Sequence, residues 1–164
     1  MTEVPVQDLI PTIERFSVDD IHVGDNEIPW VPYSAEGAFF KPLRLDVRTG
    51  AWANLLWIKG PGMLGRHQHH SAVTAYVLEG SWRYKEYDWV ATAGSIVHES
   101  PGVIHTLLCD DPNGMKTLFF VDGPLSYFGD DGTFGGDQTV FWFIDEYVKH
   151  CEANSLPIVD RLFY

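Results

Sequence analysis

The sequence predicts an all-β fold, a sandwich or small barrel, on three observations. Between Pro42 and Asp122 short β-prone segments recur: "LRLDV", "AWANLLWI", "AVTAYVLE", "SWRYKEYDWV", "SIVHE", "HTLLC" and "KTLFFVD". They are separated by turn chemistry such as "RTG", "KGPGMLG", "EG", "TAG", "SPG" and "DDPNG", the spacing expected of antiparallel β architecture. Finally, 164 residues that are 45% hydrophobic suit one domain with one core, and 15 glycines with 10 prolines supply its turns.

Residues 1–41 read as an irregular N-terminal arm. Pro29, Pro32 and Pro42 punctuate "IPWVPYSAEGAFFKP", and proline cannot donate to a ladder, so this stretch belongs at an edge. Residues 42–122 form the barrel core, and 123–164 a loop followed by a helix. The Gly/Asp-rich "FGDDGTFGGDQ" is the loop. The helix is expected from about Thr139 to about Ala153, with Asp137 near its N-cap. Phe141, Ile144, Val148 and Cys151 fall at helical spacing and predict its apolar face.

Composition excludes several function classes. The formal net charge of −12 repels phosphate backbones and anionic lipid, so neither nucleic acid nor membrane is an expected partner. Two cysteines, Cys109 and Cys151, without a CxxC spacing, predict reduced, buried thiols. The opening "MTEVPVQDLIPTIERF" lacks a basic region followed by a long apolar run, and no run approaches the roughly 18 residues that span a bilayer. A cytoplasmic protein acting on small molecules is the expectation.

Three of seven histidines lie within "GRHQHHSAVTAYVLEGSW", Gly65 to Trp82. On a strand, His67 and His69 share a face and can converge on one ion, while His70 points away. Downstream, "GSIVHESPGVIH" ends a strand in a Pro-Gly turn that fixes where His105 enters the next one. His98 and Glu99 are strand neighbours, so at most one faces inward. Glu79 in the "LEG" turn, His22 and His150 read as surface residues.

HxH, a Leu-Glu-Gly turn, then Pro-Gly-x-x-His together resemble the two motifs of the cupin superfamily. That resemblance implies a double-stranded, jelly-roll-like β-barrel with a divalent metal in its mouth, held by His67, His69 and His105. One departure stands out. The glutamate that cupins usually carry seven positions before the turn glycine is Val73 here, flanked by Thr74. The favoured substitute is Glu86. In "WRYKEYDW", Trp82, Tyr84 and Glu86 share a face, and an inward Glu86 needs a metal or a partner. In the opposite register it is a solvated charge.

A narrower resemblance covers nearly the whole chain. "IPWVPY", "LRLDVRTGAWANLLWIKGPG", "YKEYDWVATAGS" and the C-terminal helix look like the 2,4'-dihydroxyacetophenone dioxygenase family. It implies non-haem Fe(II) and dioxygen cleaving an aryl α-hydroxyketone to an arylcarboxylate and formate, with Glu86 at the position of an assisting glutamate. Zinc, manganese or nickel could occupy the same donors. Three neutral imidazoles leave positions open on an octahedral ion, as a catalytic site requires. An α-hydroxyketone can fill two and leave one for dioxygen. A base must take the substrate's protons, and Glu86 and Glu99 are the candidates. Trp30 and the loop from Gly129 onward are expected to cap the mouth, and the chain to pair as a homodimer or homotetramer. The rivals are a β-diketone-cleaving cupin and a non-catalytic metal or ligand sensor.

Overall fold

The computed structural model describes residues 5–163. Its strands are β1 (Val31–Pro32), β2 (Ala38–Leu45), β3 (Trp52–Ile58), β4 (Gly62–His69), β5 (Val73–Tyr84), β6 (Ala91–Thr92), β7 (Ile96–Glu99), β8 (Ile104–Cys109), β9 (Met115–Val121), β10 (Leu125–Phe128) and β11 (Phe134–Gln138). They pair antiparallel in the order β1-β2-β3-β9-β5-β8-β4-β10-β11, with β6 and β7 also on β5. The sheet curls around one core, as the all-β reading required.

One strand joins the two walls. The first part of β5 pairs with β9 from Val73 to Gly80, and its last part pairs with β8 at Arg83 and Tyr84. The bend sits at a bulge after Val77 and at Gly80, whose φ is +68°. A Cβ on Gly80 would lie 1.9 Å from the Gly114 carbonyl oxygen. "LEG" is therefore a crossing point inside one long strand rather than a turn between two.

Strands take the alternating pattern that a half-buried sheet imposes. In β3, Trp52, Asn54, Leu56 and Ile58 are buried. Trp57 on the other face meets the Trp30 ring at 5.3 Å. "GMLGRHQH", expected in part as a separator, is the full strand β4.

The ends of the chain depart from expectation. Residues 6–16 form helix α1 (Val6–Phe16), not an irregular arm. Asp8 in its first turn and Arg15 in its last complement the helix dipole, and it tolerates Pro11. Leu9, Ile10, Ile13 and Phe16 are all exposed. The barrel also outgrows 42–122, since β2 starts at Ala38 and β10 pairs with β4.

Helix α2 (Val140–Ala153) is capped by Thr139, whose hydroxyl accepts from the Trp142 N–H, rather than by Asp137. Its buried face is Val140, Phe143, Tyr147 and Cys151; of the expected stripe Cys151 is buried, Ile144 and Val148 are half-buried against the core, and Phe141 is exposed. The reason is packing. Phe143 meets Trp52 at 4.4 Å and Phe40 at 5.2 Å, sealing that side of the barrel. Phe143→Ala should cost about 3–5 kcal/mol, read as a lower denaturant midpoint at unchanged m-value. Cys109 and Cys151 are free and buried. Among the described residues no helix is long and apolar enough to cross a membrane.

Candidate metal centre

The three expected histidines meet. His67 in β4 sits directly opposite His105 in β8, and His69 lies two residues along on the same face. The ring centroids are 4.8 Å apart for His67 and His105, 5.1 Å for His67 and His69, and 5.8 Å for His69 and His105. One nitrogen from each falls within 4.8 Å of the others, and all three residues are buried.

The surrounding groups orient the rings. His67 Nδ1 lies 2.8 Å from the Gly65 carbonyl, which fixes its proton there and leaves Nε2 with a free lone pair. The Tyr84 ring stacks on His105 at 3.7 Å with planes 6° apart. The Tyr84 hydroxyl donates to Glu99 Oε1 at 2.5 Å. Glu99 Oε2 then faces His69 Nε2 at 3.4 Å and His105 Nε2 at 3.5 Å.

Glu99 is thus the carboxylate beside the histidines. It reaches them by register: β7 lays Glu99 directly across from Val73, the residue standing where the usual motif glutamate would be. Its strand neighbour His98 faces outward to Thr74. Glu86 goes elsewhere. The strand ends at Tyr84, and a turn breaks the alternation that would have carried Glu86 inward. Its carboxylate is exposed and accepts from the Thr106 N–H at 2.9 Å and the Thr106 hydroxyl at 3.0 Å. Glu99, not Glu86, is the carboxylate that approaches the histidines.

Other expectations sort as follows. His70 turns away to Ser126, 2.7 Å from its hydroxyl. Glu79 pairs with Lys116, His22 is exposed, and His150 is half-buried beside Asn154. Trp30 packs on Trp57 and Lys41, and neither it nor residues 129–134 line the spaces beside the histidines, so the capping role fails. The contribution of Tyr84 was missed. A tyrosine alternating with Trp82 on an inward face was the available signal, since a buried hydroxyl needs a partner.

The donor set fits a divalent ion. Buried His69 Nδ1, His105 Nε2 and Glu99 Oε2 have no hydrogen-bond partner, an expensive arrangement that an ion among them would relieve. Burial keeps the imidazoles neutral, as ligands must be. Desolvation lowers His67, takes His69 down to about 2 and His105 to about 3, and pushes Glu99 up to about 7.

These shifts set the pH response of the metal-free protein. A histidine neutral in the fold but free to protonate when unfolded stabilises above its ordinary 6.5, and that contribution is lost progressively as pH falls below it. Glu99 runs the other way, stabilising below 4.5 and losing that contribution as pH rises toward 7. Three lowered histidines outweigh one raised carboxyl. The Tm of chelator-treated protein should therefore fall between pH 7 and pH 5, as read by calorimetry.

Residues 18–126 match the family model described as the ChrR cupin-like domain. An RmlC-like cupin protein from Ralstonia eutropha JMP134 is 30% identical at a TM-score of 0.82, over 87% of this chain and 94% of that one. A cupin-like protein of unknown function from the same organism is 22% identical at 0.76, covering 85% and 90%. An acetylacetone dioxygenase from Acinetobacter johnsonii shares the fold at 0.70 and 16% identity, covering 81% and 93%. No curated protein matches the chain significantly. With a curled antiparallel barrel, a buried three-histidine cluster and a match over most of its length, this chain belongs to the ChrR cupin-like family of cupins.

Proposed function

We propose that this protein is a non-haem Fe(II) dioxygenase that cleaves an aryl α-hydroxyketone such as 2,4'-dihydroxyacetophenone. The bond between the carbonyl and carbinol carbons breaks, and both atoms of dioxygen end in the products, an arylcarboxylate and formate. One observation carries the reading: three neutral, buried imidazoles converge with a single carboxylate beside them. Such a set leaves coordination positions for two reactants. Zinc, manganese and nickel suit the same nitrogens, but dioxygen chemistry favours iron.

His67, His69 and His105 would hold the ion, which supplies a Lewis acid for the substrate oxygens. The chain does the rest. The Gly65 carbonyl keeps the proton of His67 on Nδ1, and the stacked Tyr84 ring fixes the His105 plane. Glu99 Oε2 is the base that takes the substrate's carbinol proton, since burial poises it near neutrality and the Tyr84 hydroxyl pins its other oxygen. Tyr84→Phe should keep the stack on His105 yet lower kcat about 10-fold, because Glu99 is no longer aimed.

The fold shared with an acetylacetone dioxygenase supports a second reading, β-diketone cleavage at the same histidines. Anaerobic reconstitution with Fe(II) followed by oxygen uptake separates the two. Uptake with aryl α-hydroxyketones supports the first and with β-diketones the second. Uptake with neither leaves a metal-binding cupin of sensor type. The exposed apolar side chains of α1 further support a homodimer or homotetramer, which sedimentation at micromolar concentration would test.

A further inference from the structure

Two spaces adjoin the histidine cluster, one lined by His67 and His69 and the other by His105 and Glu99, and their sizes differ. The inner one lies inside the barrel between the Trp52 and Phe143 rings and the His67 and His69 side, and holds about 40 Å³. That is room for a few water-sized molecules, since one needs roughly 10–15 Å³. The outer one is a groove of about 250 Å³ between β7, the start of β8 and the loop after β5. It approaches the lower end of organic ligand pockets, roughly 300 Å³.

The groove is chemically built for a ring. Tyr87 and Trp89 stack on each other, centroids 5.5 Å apart and planes 15° apart, yet stay 41% and 39% exposed. Glu99 and His105 also line the groove, and their unpartnered Oε2 and Nε2 lie closed off from solvent behind its wall. An aromatic wall thus adjoins the two residues whose buried polar atoms lack partners.

We propose that the aryl ring of the substrate seats in this outer groove against Tyr87 and Trp89, its oxygenated end directed at Glu99 and His105. The inner chamber, too small for a ring, takes only a diatomic molecule or water. This rests on the aryl-ketone reading and assigns its binding face. It also gives Glu86 a use. The Glu86 carboxylate and the Lys85 N–H both bind Thr106, tying the Tyr87–Trp89 loop to β8, so Glu86 is a positioning residue for the ring wall.

The test uses Zn(II)-loaded full-length protein, which is diamagnetic and cannot turn over, with 2,4'-dihydroxyacetophenone titrated by NMR. Ligand ring protons should show Overhauser contacts to Tyr87 and Trp89. Trp89→Ala and Tyr87→Ala should each weaken binding at least 10-fold, and Glu86→Ala several-fold, while zinc stays at one equivalent in every variant. Contacts to Trp52 and Phe143 instead would overturn the inference and leave the aryl-ketone reading intact. No saturable binding also overturns it. Saturable groove binding without oxygen uptake by the Fe(II) form would sink the dioxygenase reading alone.

Discussion

His105→Ala should leave a folded barrel that no longer retains a divalent ion, with turnover lost alongside it. His105 contributes one of three converging nitrogens and stands directly across from His67, so its removal opens the set. Two imidazoles two residues apart on one strand cannot enclose an ion with the same affinity. A loss of at least 100-fold in affinity is expected, larger than the 10–100-fold typical when only an orienting partner is removed. Inductively coupled plasma analysis after dialysis reads the effect directly. Retention of a full equivalent by this variant would contradict the ligand assignment. Circular dichroism separates metal loss from unfolding, because truncating one half-satisfied ring relieves a buried polar atom as well as opening a cavity.

Gly80→Ala should be strongly damaging although it lies away from the site. The new Cβ would sit 1.9 Å from the Gly114 carbonyl oxygen and 3.0 Å from the Met115 Cα, both backbone atoms, at a φ of +68° that side-chain-bearing residues rarely adopt. Neither contact can be relieved by a rotamer change. Strain of this kind costs about 1–3 kcal/mol, and overpacking against backbone adds a similar amount. A destabilisation of about 3 kcal/mol or more is expected, measured as a lower urea midpoint. Because Gly80 holds the bend that takes β5 from one wall to the other, metal affinity should fall with stability. Gly94→Ala is the control. Gly94 also has a positive φ, +90°, but nothing lies within 4 Å of an added Cβ, so only the smaller backbone strain applies.

The histidine cluster was legible because its information is local. HxH on a strand puts two rings on one face whatever the rest of the chain does, and the Pro-Gly turn before His105 sets where that residue enters β8. The carboxylate was harder. The alternation of "WRYKEYDW" continues past the point where the strand ends, so residue pattern alone carried Glu86 inward. What stops the strand is a contact distant in sequence, the pairing of the loop with Thr106. Placing Glu99 over the gap left by Val73 likewise depends on the β5–β7 register. Helix α1 was obscured because the arm was read from Pro29, Pro32 and Pro42, which lie beyond it, although Leu9, Ile13 and Phe16 keep helical spacing around Pro11. On α2 it is Phe143 rather than Phe141 that turns in, because Trp52 and Phe40 determine which aromatic they meet.

The most direct measurement is anomalous diffraction at the iron edge from crystals reconstituted anaerobically with Fe(II). A single strong peak is expected about 2.0–2.2 Å from one nitrogen each of His67, His69 and His105, the range for first-row metals on imidazole, with Glu99 beside it. Three rings with no peak between them, or a peak held by other residues, would contradict the metal centre and the chemistry built on it.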